Sequence, residues 1–102
     1  MADPSILVKN RKQMAEQMMD DYGYHFCEKC SRSGGFMFLE WHHIIFRSEA
    51  PDHDMLHSKK NLILVCDVCH RGFHNVKTSR DYLIKERGLL ELFKGLRIRN
   101  DL

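Results

Sequence analysis

The spacing of apolar and polar positions divides the chain into a helical front, a strand-rich middle and a helical end. Asp3-Pro4 has the form of a helix start, a capping carboxylate followed by a first-turn proline. Asn10 with Gln13 offers a second start just downstream. Met14, Ala15, Met18, Met19 and Tyr22 recur at helical spacing and predict an N-terminal helix over about 4–22, its methionine stripe in the core and Gly23 closing it. Cys27 to Gly35 is a turn-rich knuckle. Phe36 to Ile45 is aromatic and β-branched and predicts a strand. Residues 46–60 are polar, contain Pro51 and read as a loop, and Asn61 to Val65 reads as a second strand. A short helix follows over about Cys69 to Asn75. Thr78 or Ser79 can cap another from about Arg80 to Arg87, which Gly88 interrupts before Leu89 to Lys94 continue it. The expected architecture is α+β, one domain over 1–102. It has an N-terminal helix at about 4–22, a knuckle and core at about 24–76 and a C-terminal helical segment at about 78–96.

Metal-type residues stand at the junctions of this middle section. Cys27 and Cys30 form one C-x2-C pair and Cys66 and Cys69 the other. Each such turn points two sulfurs inward, and two of them complete a closed tetrahedral zinc site with no open position for chemistry. The long insert between the pairs is acceptable, because loop closure costs grow only slowly with length. The stretch CDVCHRGFH (66–74) also contains the spacing that attaches a c-type haem. That parse needs export to an oxidising compartment, and the N-terminal MADPSILVKNRKQ lacks the order of a signal peptide. Neither haem nor disulfides are therefore expected, and the setting expected is cytoplasmic. No apolar run approaches the ~20 residues of a membrane helix. Sixteen basic against fourteen acidic residues give a net charge of +2, which permits a nucleic-acid partner without arguing for one.

The histidines offer a second centre. His70 and His74, at i and i+4, share a helix face, while Cys69 points about 100° from His70. One short helix can thus serve two sites on two faces. The adjacent pair His42-His43, at the end of the first strand, projects in different directions. One can be a ligand beside His70 and His74 while the other faces a substrate. Three protein ligands with an open position are the pattern of a catalytic metal. A neutral imidazole beside it can take a proton from water.

The ordered set Cys27/Cys30, Trp41-His42-His43-Ile44, Asn61 to Cys66, and Cys69-His70 with His74 resembles the HNH endonucleases and their ββα-metal (His-Me finger) motif, over about residues 27–74. The resemblance implies a ββα-metal core stapled by a four-cysteine zinc, with flanking helices. It implies a metal-dependent DNA endonuclease that leaves 5′-phosphate and 3′-hydroxyl ends, nicks, and has low sequence specificity. His43 would be the general base. His42, His70 and His74 would bind the catalytic divalent metal, and Asn61 would pin the inter-strand loop and so orient His43. Phe46 stands where many relatives have proline. His42 stands where some have aspartate, and a softer all-histidine set extends the candidate metals from Mg2+ to Mn2+, Ni2+, Co2+ or Zn2+. Double-stranded DNA is the implied partner. Small members of the family encoded by phages work beside terminase and portal packaging proteins, which are partners by resemblance only.

Arg47, Arg71 and Lys77 are candidate phosphate contacts, with Arg80 beside them and a basic tail at Lys94, Arg97 and Arg99. Solvated charged faces explain these residues equally well. His25, His53 and His57 have no partner at metal spacing and read as surface or hydrogen-bonded histidines. Trp41 reads as packing, and Glu40 as lying on the opposite face, although a carboxylate there can orient a ligand histidine. The alternative function is a non-catalytic zinc module that holds nucleic acid or protein; an RNA substrate is a third reading.

Overall fold

Asp3 and Pro4 start the first helix, α1 (Pro4–Tyr22), as their chemistry predicts: the Asp3 carboxylate accepts the Ser5 N–H at 2.9 Å. Gly23 ends it at φ +80°, donating its N–H to the Met19 carbonyl at 2.8 Å. Asn10 starts nothing. It lies within the helix, and its amide donates to the His57 carbonyl at 2.8 Å. The inward stripe is also rotated from the one expected. Leu7 and Met18 are buried and Met14 and Ala15 half-buried, but Met19 and Tyr22 are exposed. Only a narrow face of α1 meets the rest of the protein, and Tyr22 instead sets its ring edge-on to Phe26 at 5.0 Å.

The structure is a computed structural model and describes residues 3–33, 39–75 and 80–93. Residues 36–38 of the expected strand, the caps Thr78 and Ser79, and the candidate contacts Lys77, Lys94, Arg97 and Arg99 lie outside the described residues. β1 (Leu39–His43) and β2 (Leu62–Cys66) form an antiparallel pair in which Leu39 faces Cys66 and His43 faces Leu62. Asn61 belongs to a 3-10 turn (Lys59–Asn61) that delivers the chain into β2 rather than to the strand itself. The helix α2 (Asp67–Asn75) follows β2 with no intervening residue and packs on both strands. Next come α3 (Asp81–Glu86) and α4 (Leu89–Leu92), broken at Gly88 with φ +64°.

Every residue of β2 is buried, which explains its unbroken apolar run. Ile63, Leu64, Val65 and Cys66 join Ile44, Ile45, Phe73, Leu83, Ile84, Leu89 and Phe93 in one core. Burying Leu62, Ile63, Leu64 and Val65 stabilises the fold by roughly 1.5–3 kcal/mol apiece. The outer edge of β2 is covered too. Glu28 donates its N–H to the Leu64 carbonyl at 2.8 Å and accepts the Leu64 N–H on Oε2 at 2.7 Å. Arg87 donates to the Leu62 carbonyl at 2.8 Å. A two-stranded sheet has few ladder bonds, so Glu28 and Arg87 supply partners that a third strand would otherwise provide.

The segment between the strands is polar in sequence yet anchored. Arg80 is 5% exposed, pairs with Glu49 at 2.6 and 2.8 Å, donates to the Ile44 carbonyl at 2.7 Å and stacks over Phe46 at 4.0 Å. It locks this segment to α3 and is not available to a nucleic-acid backbone, contrary to the reading from sequence. No helix among the described residues is long and apolar enough to cross a membrane.

Candidate metal centres and active-site cleft

The two C-x2-C turns meet. The sulfurs of Cys27, Cys30, Cys66 and Cys69 lie within 4.8 Å of one another, with Cys30 and Cys66 Sγ 3.7 Å apart. A disulfide would need ~2.05 Å. A tetrahedron with Zn–S bonds of ~2.3 Å has edges of about 3.8 Å. Burial pushes the Cys27 thiol up, but N–H donation from Cys30, Cys66 and Lys29 outweighs it and leaves Cys27 at about 7, below the usual 9.0. Burial, then the sulfurs of Cys27, Cys66 and Cys30, push Cys69 far up. Four crowded sulfurs cannot all ionise side by side without a cation. The set is therefore positioned to form a metal site, and a soft divalent ion fits it.

On the far side of α2, His42, His70 and His74 also place nitrogens within 4.8 Å of one another. His42 is 5% exposed and lies flat on Phe73, at 4.8 Å and 5° between planes. Burial, then His70 and His74, hold it at about 3, so the ring is neutral with a lone pair to give. Its Nε2 is buried and finds no hydrogen-bond partner in the described structure. An orphaned nitrogen of this kind is costly, and a cation between the three rings would satisfy it. His74 stacks on Phe46 at 4.6 Å, so the residue standing in place of proline supports a cluster ring.

Glu40 is the first correction at this site. Residues i and i+2 of a strand share a face, so Glu40 lies on the His42 side and not opposite it. Its Oε2 accepts the hydrogen bond of His70 Nδ1, leaving Nε2 as the nitrogen His70 can offer an ion.

His43 points to the other face of β1. Its Nε2 lies 2.9 Å from Nδ1 of His57, so His57 has a specific partner that sequence spacing did not suggest. Burial, then the positive charges of Arg47, of His57 when protonated and of Arg11, pull His43 down to about 4. Asn61 is fully buried. Its Oδ1 accepts the Ile45 N–H at 2.7 Å, and its Nδ2 donates to the carbonyls of Ile45 at 3.1 Å and Leu56 at 2.9 Å. It touches the backbone two residues beyond His43 and leaves the ring itself to His57.

An open cleft of about 320 Å³ joins these groups, lined by His42, His43, His70 and His74 with Trp41, Arg47 and, from α1, Arg11. Arg47 thus lines the cleft, and Trp41 forms part of its wall. Arg11 was missed, although its i+4 spacing from Leu7 and i−7 from Met18 places it on the inward face. Arg71 is exposed on α2, 3.8 Å from Asp67, and is not among the lining residues.

Residues 27–76 match the model of the HNH endonuclease family. No curated protein and no solved structure matches the chain. The matched segment contains both ligand clusters, the antiparallel strand pair and the helix that follows it. Residues 27–76 of this chain are thus an HNH endonuclease domain.

Proposed function

We propose that this nuclease is a metal-dependent DNA endonuclease in which residues 1–102 act as one domain. The observation that carries the reading is the orphaned Nε2 of buried His42, whose ring lies 4.7 Å from that of His70 and 5.2 Å from that of His74, one residue from a half-buried, neutral His43 at the cleft. His42, His70 and His74 would hold a divalent ion, and the four cysteines a structural Zn2+. The first ion, when bound, supplies Lewis-acid stabilisation to phosphate and 3′-oxygen charge. His43 takes a proton from water, whose oxygen attacks phosphorus in line with the P–O3′ bond. That bond breaks, the 3′ oxygen is protonated by solvent, and the ends are 5′ phosphate and 3′ hydroxyl. Asn61 holds the backbone that carries His43. Arg47 and Arg11, which find no carboxylate partner among the described residues, would neutralise flanking phosphates. Contacts to phosphate carry no base identity directly, so weak sequence preference follows. One such centre cuts one strand per event, so the products are nicks. The setting is the cytoplasm, where packaging proteins such as a terminase or portal are candidate partners.

The test is cleavage of supercoiled plasmid with Mg2+, Mn2+, Ni2+, Co2+, Zn2+ or no added metal, by the wild type and His43→Ala. Relaxed circles from the wild type, and at least a hundred-fold less from the variant, support the reading. A wild type inactive in every metal points instead to a non-catalytic zinc module. Cleavage of RNA in preference to DNA would correct the substrate.

A further inference from the structure

His57 lies outside both ligand clusters, in the segment between the strands, and is 5% exposed. It is held from two directions. Its carbonyl accepts the Asn10 amide of α1 at 2.8 Å, and its Nδ1 lies 2.9 Å from Nε2 of His43. The two rings are 5.1 Å apart at 54°, so this contact is a hydrogen bond and not a stack.

Two imidazoles joined in this way share one hydrogen, and its position decides what His43 can do. With the proton on His43 Nε2, His57 accepts and His43 Nδ1 keeps its lone pair. With the proton on His57 Nδ1, His43 Nε2 accepts, and the single proton of neutral His43 must sit on Nδ1. Only the first arrangement leaves a base. After His43 has taken a proton both its nitrogens are donors, and only an accepting His57 can keep the bond. That bond is then charge-assisted, so it strengthens as the proton moves to His43.

We infer that His57 is the positioning residue of this site: its Nδ1 accepts from His43 Nε2, fixes His43 in the tautomer with Nδ1 free, and stabilises the imidazolium that forms. The inference rests on His43 being the base. Asn10 extends the device to α1, a helix outside the segment that matches the family, which buttresses the backbone of His57.

The first test needs no variant. Nitrogen-15 shifts and long-range couplings of the histidine rings in the zinc-loaded wild type report each tautomer, with His43 assigned from the spectrum of His43→Gln. The expected state is Nε2–H; His43 in the Nδ1–H tautomer overturns the inference. The second test compares His57→Phe, which keeps a ring without an acceptor, with His57→Asn, whose Oδ1 can stand where Nδ1 stood. His57→Phe should lower kcat on plasmid at saturating metal by 10- to 100-fold with KM for DNA within about two-fold, and His57→Asn should recover most of the loss. In a His43→Ala background, His57→Phe should have no further effect. Full kcat in folded His57→Phe, or equal losses in both variants, overturns the acceptor role while leaving His43 as base. Normal cleavage by His43→Ala overturns the base and the inference with it.

Discussion

Replacing Asn61 by alanine removes a side chain that makes three buried hydrogen bonds, to Ile45 N–H at 2.7 Å, the Ile45 carbonyl at 3.1 Å and the Leu56 carbonyl at 2.9 Å. All three backbone groups stay in a region that water does not reach, because Asn61, Ile45 and Leu56 are at most 3% exposed. An unsatisfied buried group costs about 1–3 kcal/mol. The N–H pays the full penalty and the two carbonyls a part of it, so the expected loss is about 3–5 kcal/mol. The bond from Ile44 N–H to the Asn61 carbonyl, at 2.9 Å, survives and limits the damage. For a domain stable by about 5–15 kcal/mol the loss is a large fraction. It should move the urea midpoint down by about 2 M at an m-value near 2 kcal/mol/M. Asn61→Asp should be at least as damaging: one oxygen can accept from Ile45, but the other faces two carbonyl oxygens as an anion. The assay is urea unfolding of zinc-loaded protein followed by circular dichroism. A loss below 1 kcal/mol for Asn61→Ala, or wild-type stability for Asn61→Asp, refutes the claim that this amide holds the loop.

Four further outcomes are expected. Arg80→Met removes both guanidinium bonds to the Glu49 carboxylate and should lower stability by about 3–5 kcal/mol, most of it recovered in the double variant with Glu49→Gln; full stability of the single variant by thermal melting contradicts the pairing. Because His43 is held neutral down to about 4, kcat should be level from pH 8 to pH 5.5, where an unperturbed imidazole near 6.5 loses about ten-fold; a midpoint near 6.5 in the pH–rate profile rejects the assignment, and Arg47→Gln should shift the acid limb upward. Glu40→Gln keeps an acceptor for His70 but not its charge, and should weaken the exchangeable divalent ion by about ten-fold in calorimetry without changing zinc content; unchanged affinity shows that Glu40 has no hold on the ligand. Cys66→Ser should cut bound zinc by elemental analysis and unfold β2 and α2 together, whereas a folded protein with full zinc content excludes Cys66 from the site.

What was legible in the sequence is what depends on local spacing. The cysteine pairs, the i, i+4 histidines and the caps of α1 fix geometry within a turn or two, and the structure brings each set together as its spacing implies. The residues misread depend on the path of the chain between them. Nothing near His57 or Arg80 in sequence announces a partner, because the folding of the segment between the strands brings His57 to β1 and α1, and Glu49 to Arg80 at the start of α3. Glu40 could have been placed by strand parity with His42 alone. Arg11 could have been found by extending the helical stripe back from Met18 to Leu7. Met19 and Tyr22 carry apolar side chains at the right period, yet α1 has too little protein beside it to cover them.

The direct passage from β2 into α2 constrains how this protein can vary. Cys66 ends the strand, Cys69 and His70 are neighbours on the helix, and His74 follows one turn on. A single residue inserted between Cys69 and His70 would rotate both histidines by about 100° away from His42 while leaving the four sulfurs in place. One inserted between Cys66 and Cys69 would break the sulfur cluster instead. The nine positions 66–74 therefore form a fixed-length module, within which insertion and deletion are closed and substitution is open only away from the ligand residues and buried Phe73. The turns at Pro51–Met55 carry no ligand and are mostly exposed, and length can change there so long as Glu49 and His57 still reach Arg80 and His43. Divergence of this chain should be written in the length of that segment and in substitutions, never in the length of the strand–helix junction.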